Sequence, residues 1–200
     1  MKRVIAALCV GVALVAALAL SACGSRDLSV PAVGESSTKS GEPESSQVGD
    51  IPDTQVYVPF SSSTGLFTVS VPEGWAQSAQ GAATVFTDKL NTVRIELQIA
   101  SVAPTPESAQ RDEVPAIQSS TGGYQFGPVR IVQRKAGEAV MITYQATSGP
   151  NAVTGKVGVD AVERYEFWRD GHEVILTLSG PLGADNVDPW RTITDSLQWQ

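Results

Sequence analysis

The sequence predicts an α+β domain over residues 55–200: an antiparallel β-sheet of about six to eight strands covered by helices. Three observations point there. Runs of alternating apolar and polar residues recur from Gln55 to Gly180, each bounded by Gly, Pro, Asn or Asp. One capped helical start, Thr105-Pro106-Glu107, interrupts them. The chain closes on an amphipathic stretch with Trp190, Ile193 and Leu197 at i, i+3 and i+7. Strand runs followed by packed helices, without alternating strand–helix units, are the pattern of the α+β class.

The strands begin at Val56-Tyr57-Val58. Gly65 to Val71 follows, with Phe67, Val69 and Val71 on one face and Thr68 and Ser70 on the other. Pro72-Glu73-Gly74 stops the ladder and turns the chain, placing Trp75 to fold back over the apolar face. Ala83 to Thr87 reads as a strand and Asp88-Lys89-Leu90-Asn91 as a turn. Val93 to Ile99 is the cleanest period-two run: Val93, Ile95, Leu97 and Ile99 toward a core, Arg94, Glu96 and Gln98 toward water.

Residues 104–121 predict a short, imperfect helix, capped by Thr105, interrupted by Pro115 and ended by Gly122-Gly123. Three more strands follow, Val129 to Lys135, Glu138 to Thr147 with Val140, Ile142 and Tyr144, and Lys156 to Trp168. In the last, Val157, Val159, Ala161, Tyr165 and Phe167 share one phase, and Glu163 falls in it. A buried unpaired carboxylate is costly, so a bulge, a strand edge or an arginine partner is expected at Glu163. Arg169-Asp170-Gly171 is a hairpin signal, and His172 to Gly180 returns. In the closing helix Asp188 is expected as the cap and Pro189 as the first residue, with the apolar stripe packed on the sheet and Trp199 packed after it.

The N-terminus is a separate system. No charged residue occurs from Val4 to Ser25, and the run follows Lys2-Arg3. A run of that length could span a bilayer as an uncleaved helix. The small residues Ser21-Ala22 suit a peptidase cleft instead, and Cys23 follows at once. Leu20-Ser21-Ala22-Cys23 resembles the lipobox of bacterial lipoprotein signals. The resemblance implies that residues 1–22 are a lipoprotein signal peptide, that Cys23 receives a diacylglyceryl group, and that the mature protein is held on the extracytoplasmic face of the cell membrane. Two acyl chains anchor stably where one is marginal, at about 0.8 kcal/mol per buried methylene.

Residues 23–54 then form a tether rich in Ser, Gly, Pro and Glu, too poor in large apolar residues to fold. As a flexible coil it spans roughly 30 Å.

Charge argues for the covalent anchor. The chain carries a formal −7, which becomes −9 once Lys2 and Arg3 leave with the signal. Such a chain has no footprint for nucleic acid and is repelled by anionic headgroups. Cys9 leaves with the signal and Cys23 is lipidated, so the mature domain has no thiol for a disulfide or a thiolate metal site.

Two stretches of the domain resemble a family. Gly65-Leu66-Phe67-Thr68-Val69-Ser70-Val71-Pro72-Glu73-Gly74-Trp75, and the close Pro189-Trp190 through Ser196-Leu197-Gln198-Trp199, are similar to the opening and the terminal helix of PsbP-like domains (Mog/PsbP superfamily). The resemblance implies a PsbP-like fold and a non-catalytic role in binding or assembling other components. The motifs themselves are core and turn chemistry, and fold alone assigns no function.

The residues offer little for catalysis. His172 is the single histidine, sits beside a hairpin glycine, and has no Gly-x-Ser-x-Gly elbow to serve. Ser36-Ser37-Thr38-Lys39 matches a Ser-x-x-Lys signature only inside the tether. Gly122-Gly123 lacks the Lys-Ser/Thr of a phosphate loop. Asp185, Asn186 and Asp188 are weak candidates for calcium, without the glycine and distal glutamate of a calcium loop; a helix cap at Asp188 and a turn shaped by Asp185 or Asn186 explain them better. A hydrolase using Glu163, Asp185 or Asp188 would need paired carboxylates in one cleft.

No catalytic residue and no cofactor are expected. The expected role is a membrane-anchored binding or assembly module for an envelope protein or small ligand. Trp168, opposite in phase to Tyr165 and Phe167, lies either on the outer face or under a helix; exposed, it is the candidate partner contact, with Arg169 beside it.

Overall fold

Antiparallel pairing of ten strands among the described residues builds two sheets. The computed structural model describes residues 47–150 and 155–200. The signal segment 1–22, Cys23 and the tether as far as Ser46 lie outside the described residues.

The smaller sheet has the order β1-β2-β10: β1 (Tyr57–Ser61), β2 (Phe67–Pro72) and β10 (Gln198–Trp199). The larger has the order β3-β4-β5-β9-β8-β7-β6. Its strands are β3 (Ala76–Gln80), β4 (Ala83–Thr87), β5 (Thr92–Ile99), β6 (Gln125–Arg134), β7 (Gly137–Thr147), β8 (Val159–Arg169) and β9 (His172–Pro181). The α+β expectation stands, with the strands divided between two sheets.

The main core lies between the sheets. Phe67, Val69 and Val71 of β2 meet Val93, Ile95, Met141, Tyr165, Phe167, Val174, Leu176 and Leu178 of the large sheet. Phe60 stands edge-on to Phe86, ring centres 5.3 Å apart. Helix α3 (Val187–Asp195) adds Trp190 and Ile193, and Leu197 follows. Asp188 does not cap it: Asn186 holds the cap position without a side-chain capping bond, and Asp188 lies exposed in the first turn.

A second, smaller core lies on the opposite face of the large sheet. The segment 106–120 runs as α1 (Pro106–Ser108), a π-turn (Ala109–Glu113) and α2 (Val114–Ser120). Thr105 and Ser108 close a reciprocal capping box, with Pro106 in the first turn. Pro115 does not end the segment; the wider π-turn before it absorbs the bond a proline cannot make. Ala109, Val114 and Ile117 cover Val129, Val140, Ile142 and Tyr144. β7 is thus buried on both faces.

Two strand expectations and the end of the tether need correction. Ile99 is 86% exposed, because β5 runs past the core at its end. Val157 and Val159 are exposed, and β8 starts only at Val159. Residues Gly49 to Ile51, read as tether, are seated on the domain: Ile51 is buried in the main core, and its amide donates to Asn186 Oδ1 at 2.8 Å.

Candidate functional site

On β8 the side chains alternate between two environments. Glu163, Tyr165 and Phe167 face the main core; Val162, Arg164, Glu166 and Trp168 face the side that carries α1 and α2. The core-facing carboxylate is answered by a neighbour. Tyr165 Oη donates to Glu163 Oε2 at 2.5 Å, and Arg134 donates to the same phenol at 2.9 Å and to Thr194 Oγ1 at 2.9 Å. The arginine expected at Glu163 is therefore present one bond removed, through a tyrosine, and β8 keeps an unbroken register at this position. Burial and the bond to Glu163 push the Tyr165 phenol well above its ordinary range.

The other face holds the feature that sequence reading missed. Val140 of β7 pairs with Glu166 of β8, and Ile131 of β6 with Val140, so Ile131, Val140 and Glu166 form one row across three strands. With Glu138, Trp168 and the Ala103-Pro104 loop ahead of α1, they line a recess of about 340 Å³. That volume falls in the small-ligand range of about 300–1,000 Å³. Segment 106–120 covers the adjoining part of this face and stops short of the recess.

Glu166 is 1% exposed. Its Oε1 accepts from Arg164 Nε at 2.9 Å. Its Oε2 is buried and has no hydrogen-bond partner. Arg164 is shared, its Nη2 reaching Glu113 Oε2 at 3.1 Å, so one guanidinium serves two carboxylates. Burial pushes the Glu166 carboxyl up to about 7; Arg164 pulls it down, and Glu173 and Glu113 raise it further. Trp168 donates Nε1–H to the Ala100 carbonyl at 2.7 Å, which fixes the indole at the recess wall.

This carboxyl has a consequence for stability with a definite sign. Between its ordinary value of 4.5 and about 7, the folded state holds a proton that the unfolded state has released. Stability therefore falls as pH rises through that window, and the loss is complete above it. The expected contribution is of order 1–3 kcal/mol. It is measured as the difference in urea midpoint between wild type and Glu166→Gln at pH 4.5 and at pH 8; the variant should lack the decline.

The structure separates the two residues read as a partner contact. Trp168 lines the recess, while Arg169 faces solvent beside Asp170, 3.5 Å away, and borders a different cavity of about 90 Å³ with Leu66, His172 and Trp199. His172 is partly exposed, its Nδ1 3.2 Å from the Asp170 carbonyl.

The weak metal candidates are also placed. Asn186 is buried and spends its amide on the chain: Nδ2 donates to Gly49 O at 3.1 Å and to Asn91 Oδ1 at 3.0 Å. Asp185 is exposed, with its own amide bound to Asp50 Oδ1 at 2.8 Å. Among the described residues no three His, Cys, Asp or Glu side chains converge for a metal. Glu163 faces the core while Asp185 and Asp188 lie exposed around the start of α3, and none of the three lines the recess.

No protein-family model matches this sequence, and no curated protein matches it. Solved structures do. The chain is similar to cyanobacterial PsbP from Synechocystis sp. PCC 6803, with a TM-score of 0.52 and 14% identity over 76% of this chain and 99% of that one. It also aligns with the Ran-binding protein Mog1p of Saccharomyces cerevisiae, with a TM-score of 0.44 and 12% identity over 72% and 96% of the two chains. A protein from Bacteroides thetaiotaomicron gives a TM-score of 0.47 and 15% identity over 71% of this chain. The chain spans only 48% of that protein's length. At this identity the likeness to cyanobacterial PsbP is one of fold, and the fold of this chain is PsbP-like.

Proposed function

We propose that the chain is an envelope lipoprotein, anchored through diacylglyceryl-Cys23 on the extracytoplasmic face of the cell membrane. In this reading its domain is a non-catalytic binding or assembly module, and the recess lined by Glu166 and Trp168 is where it takes its partner. The observation that carries the binding role is the Glu166 Oε2 acceptor, buried and unanswered in a recess it shares with Ile131, Val140 and Trp168. A buried acceptor left unpaired costs about 1–3 kcal/mol, and a ligand donor entering the recess recovers that cost. The anchor is supported by Leu20-Ser21-Ala22-Cys23 and by an acidic surface with no means of its own to hold anionic lipid.

Two measurements test this. The intact mass of the N-terminal peptide from native membranes should correspond to a chain beginning at diacylglyceryl-Cys23; a chain beginning at Met1 with a free thiol would remove the anchor. Native mass spectrometry of the protein extracted in mild detergent should show a co-purifying ligand that is lost on Ile131→Trp, a bulky neutral rim change that blocks the recess. Steady hydrolysis of a cell-wall or ester substrate, abolished by a point change in the domain, would refute the non-catalytic role.

A further inference from the structure

We infer that the recess binds a primary ammonium group carried on a short apolar chain, with the free oxygen of Glu166 as its acceptor and the Trp168 indole against its aliphatic part. The inference rests on the recess being the binding site proposed above, and it adds the chemistry of the occupant.

Charge decides between a cationic and a neutral donor. The face around Glu166 carries Glu138 on β7, Glu173 on β9, Glu96 on β5 and Glu113 on the π-turn. Against these stand Arg164 and Arg94, and both are committed. Arg94 forks onto Glu96 at 2.9 and 3.1 Å. Arg164 is divided between Glu166 and Glu113. Glu173 receives one neutral donor, Gln98 Nε2 at 2.7 Å, and Glu138 another, Gln133 Nε2 at 2.7 Å. The face therefore holds more carboxylate than guanidinium, with the surplus at the recess. An anion is repelled there. A neutral hydroxyl would fill the empty acceptor and leave the surplus charge standing. An ammonium answers both. Ile131, Val140, Ala103 and Pro104 supply apolar surface for the chain that carries it.

The pH dependence follows from the same groups. A cation is held by the ionised carboxylate, so affinity should rise with pH as Glu166 loses its proton near 7, with burial first favouring the protonated form, Arg164 opposing it, and Glu173 and Glu113 assisting it. An alkylammonium keeps its own charge to about pH 10.

The test is isothermal titration of the full-length mature protein with n-butylammonium chloride, and with n-butanol as the neutral control. Butylammonium should bind saturably with one site at pH 8, weaken about tenfold or more by pH 5.5, and bind well ahead of butanol. Glu166→Gln should lose tenfold or more at pH 8 and flatten the pH profile. Glu138→Gln, a change at an exposed rim residue, should weaken binding several-fold with the fold undisturbed. A capped lysine amide that competes as well as butylammonium would identify a partner's lysine side chain as the source; competition by free amines alone would identify a small amine ligand. Butanol binding as tightly as butylammonium, a flat pH profile in wild type, or Glu166→Gln without effect would each overturn the inference. A co-purifying ligand still displaced by Ile131→Trp would then leave the binding role standing with a different occupant.

Discussion

Asn186→Ala is expected to lower the unfolding free energy by about 3 kcal/mol, the largest loss from a single polar side chain away from the recess. Asn186 is 3% exposed and joins three pieces of chain. Its Oδ1 accepts from Ile51 N, and its Nδ2 donates to Gly49 O and Asn91 Oδ1. Alanine strands the Ile51 amide and the Asn91 oxygen in a buried site. Gly49 O keeps Asn91 Nδ2 at 3.0 Å, which limits the cost. A urea midpoint is the measure, with limited proteolysis at residues 47–52 as the local readout. Unchanged stability and unchanged protection would show that this stretch of chain is not held by Asn186.

Arg164→Met is expected to cost about 3 kcal/mol at pH 8 and distinctly less at pH 5. Removing one partner of a buried ion pair leaves the other uncompensated, and here the survivor is Glu166, 1% exposed. At pH 5 the carboxyl takes a proton and escapes most of the penalty. At pH 8 that escape requires binding a proton against the solution. Adding Glu166→Leu to Arg164→Met should recover most of the loss, because an apolar pair of similar volume has no charge to desolvate. The double-mutant cycle at the two pH values measures this; a loss independent of pH, or one not rescued by the second change, would show that the pair is held by packing alone.

Much of the strand framework was legible in the chain. β5, β7 and β9 carry strong alternation or hairpin signals and fall within a residue of their expected ends. β3 was not legible, because Ala76-Gln77-Ser78-Ala79-Gln80 is exposed throughout and has no apolar pattern to read. β10 is two residues that pair with β2 only because α3 delivers them there. The π-turn was hidden by Pro115, which reads as an interruption when helical geometry is assumed to be uniform.

The candidate site failed to appear for a related reason. Reading β8 by its apolar phase assigns Tyr165 and Phe167 to a core and leaves Val162, Arg164 and Glu166 on the other face, with Trp168 there either exposed or under a helix. That is correct for a sheet covered on one side. Here α1 and α2 build a second layer, and the polar phase becomes buried. A signal existed: Arg94-x-Glu96 and Arg164-x-Glu166 place an arginine two residues before a glutamate on the same strand face, and both close into ion pairs at 2.9 Å. Trp168 lies two residues beyond Glu166 on the same face and lines the recess with it, whereas Arg169 borders a different cavity.

The direct measurement is a carbon-13 NMR titration of the glutamate side-chain carboxyls, with the Glu166 signal assigned by its loss in Glu166→Gln. The expected result is a midpoint near 7 in the free protein that moves to lower pH as butylammonium is added, since a bound cation favours the ionised carboxylate. A Glu166 midpoint in the ordinary carboxylate range, or one that the amine leaves in place, would contradict a buried, unanswered carboxylate as the anchor of the binding site.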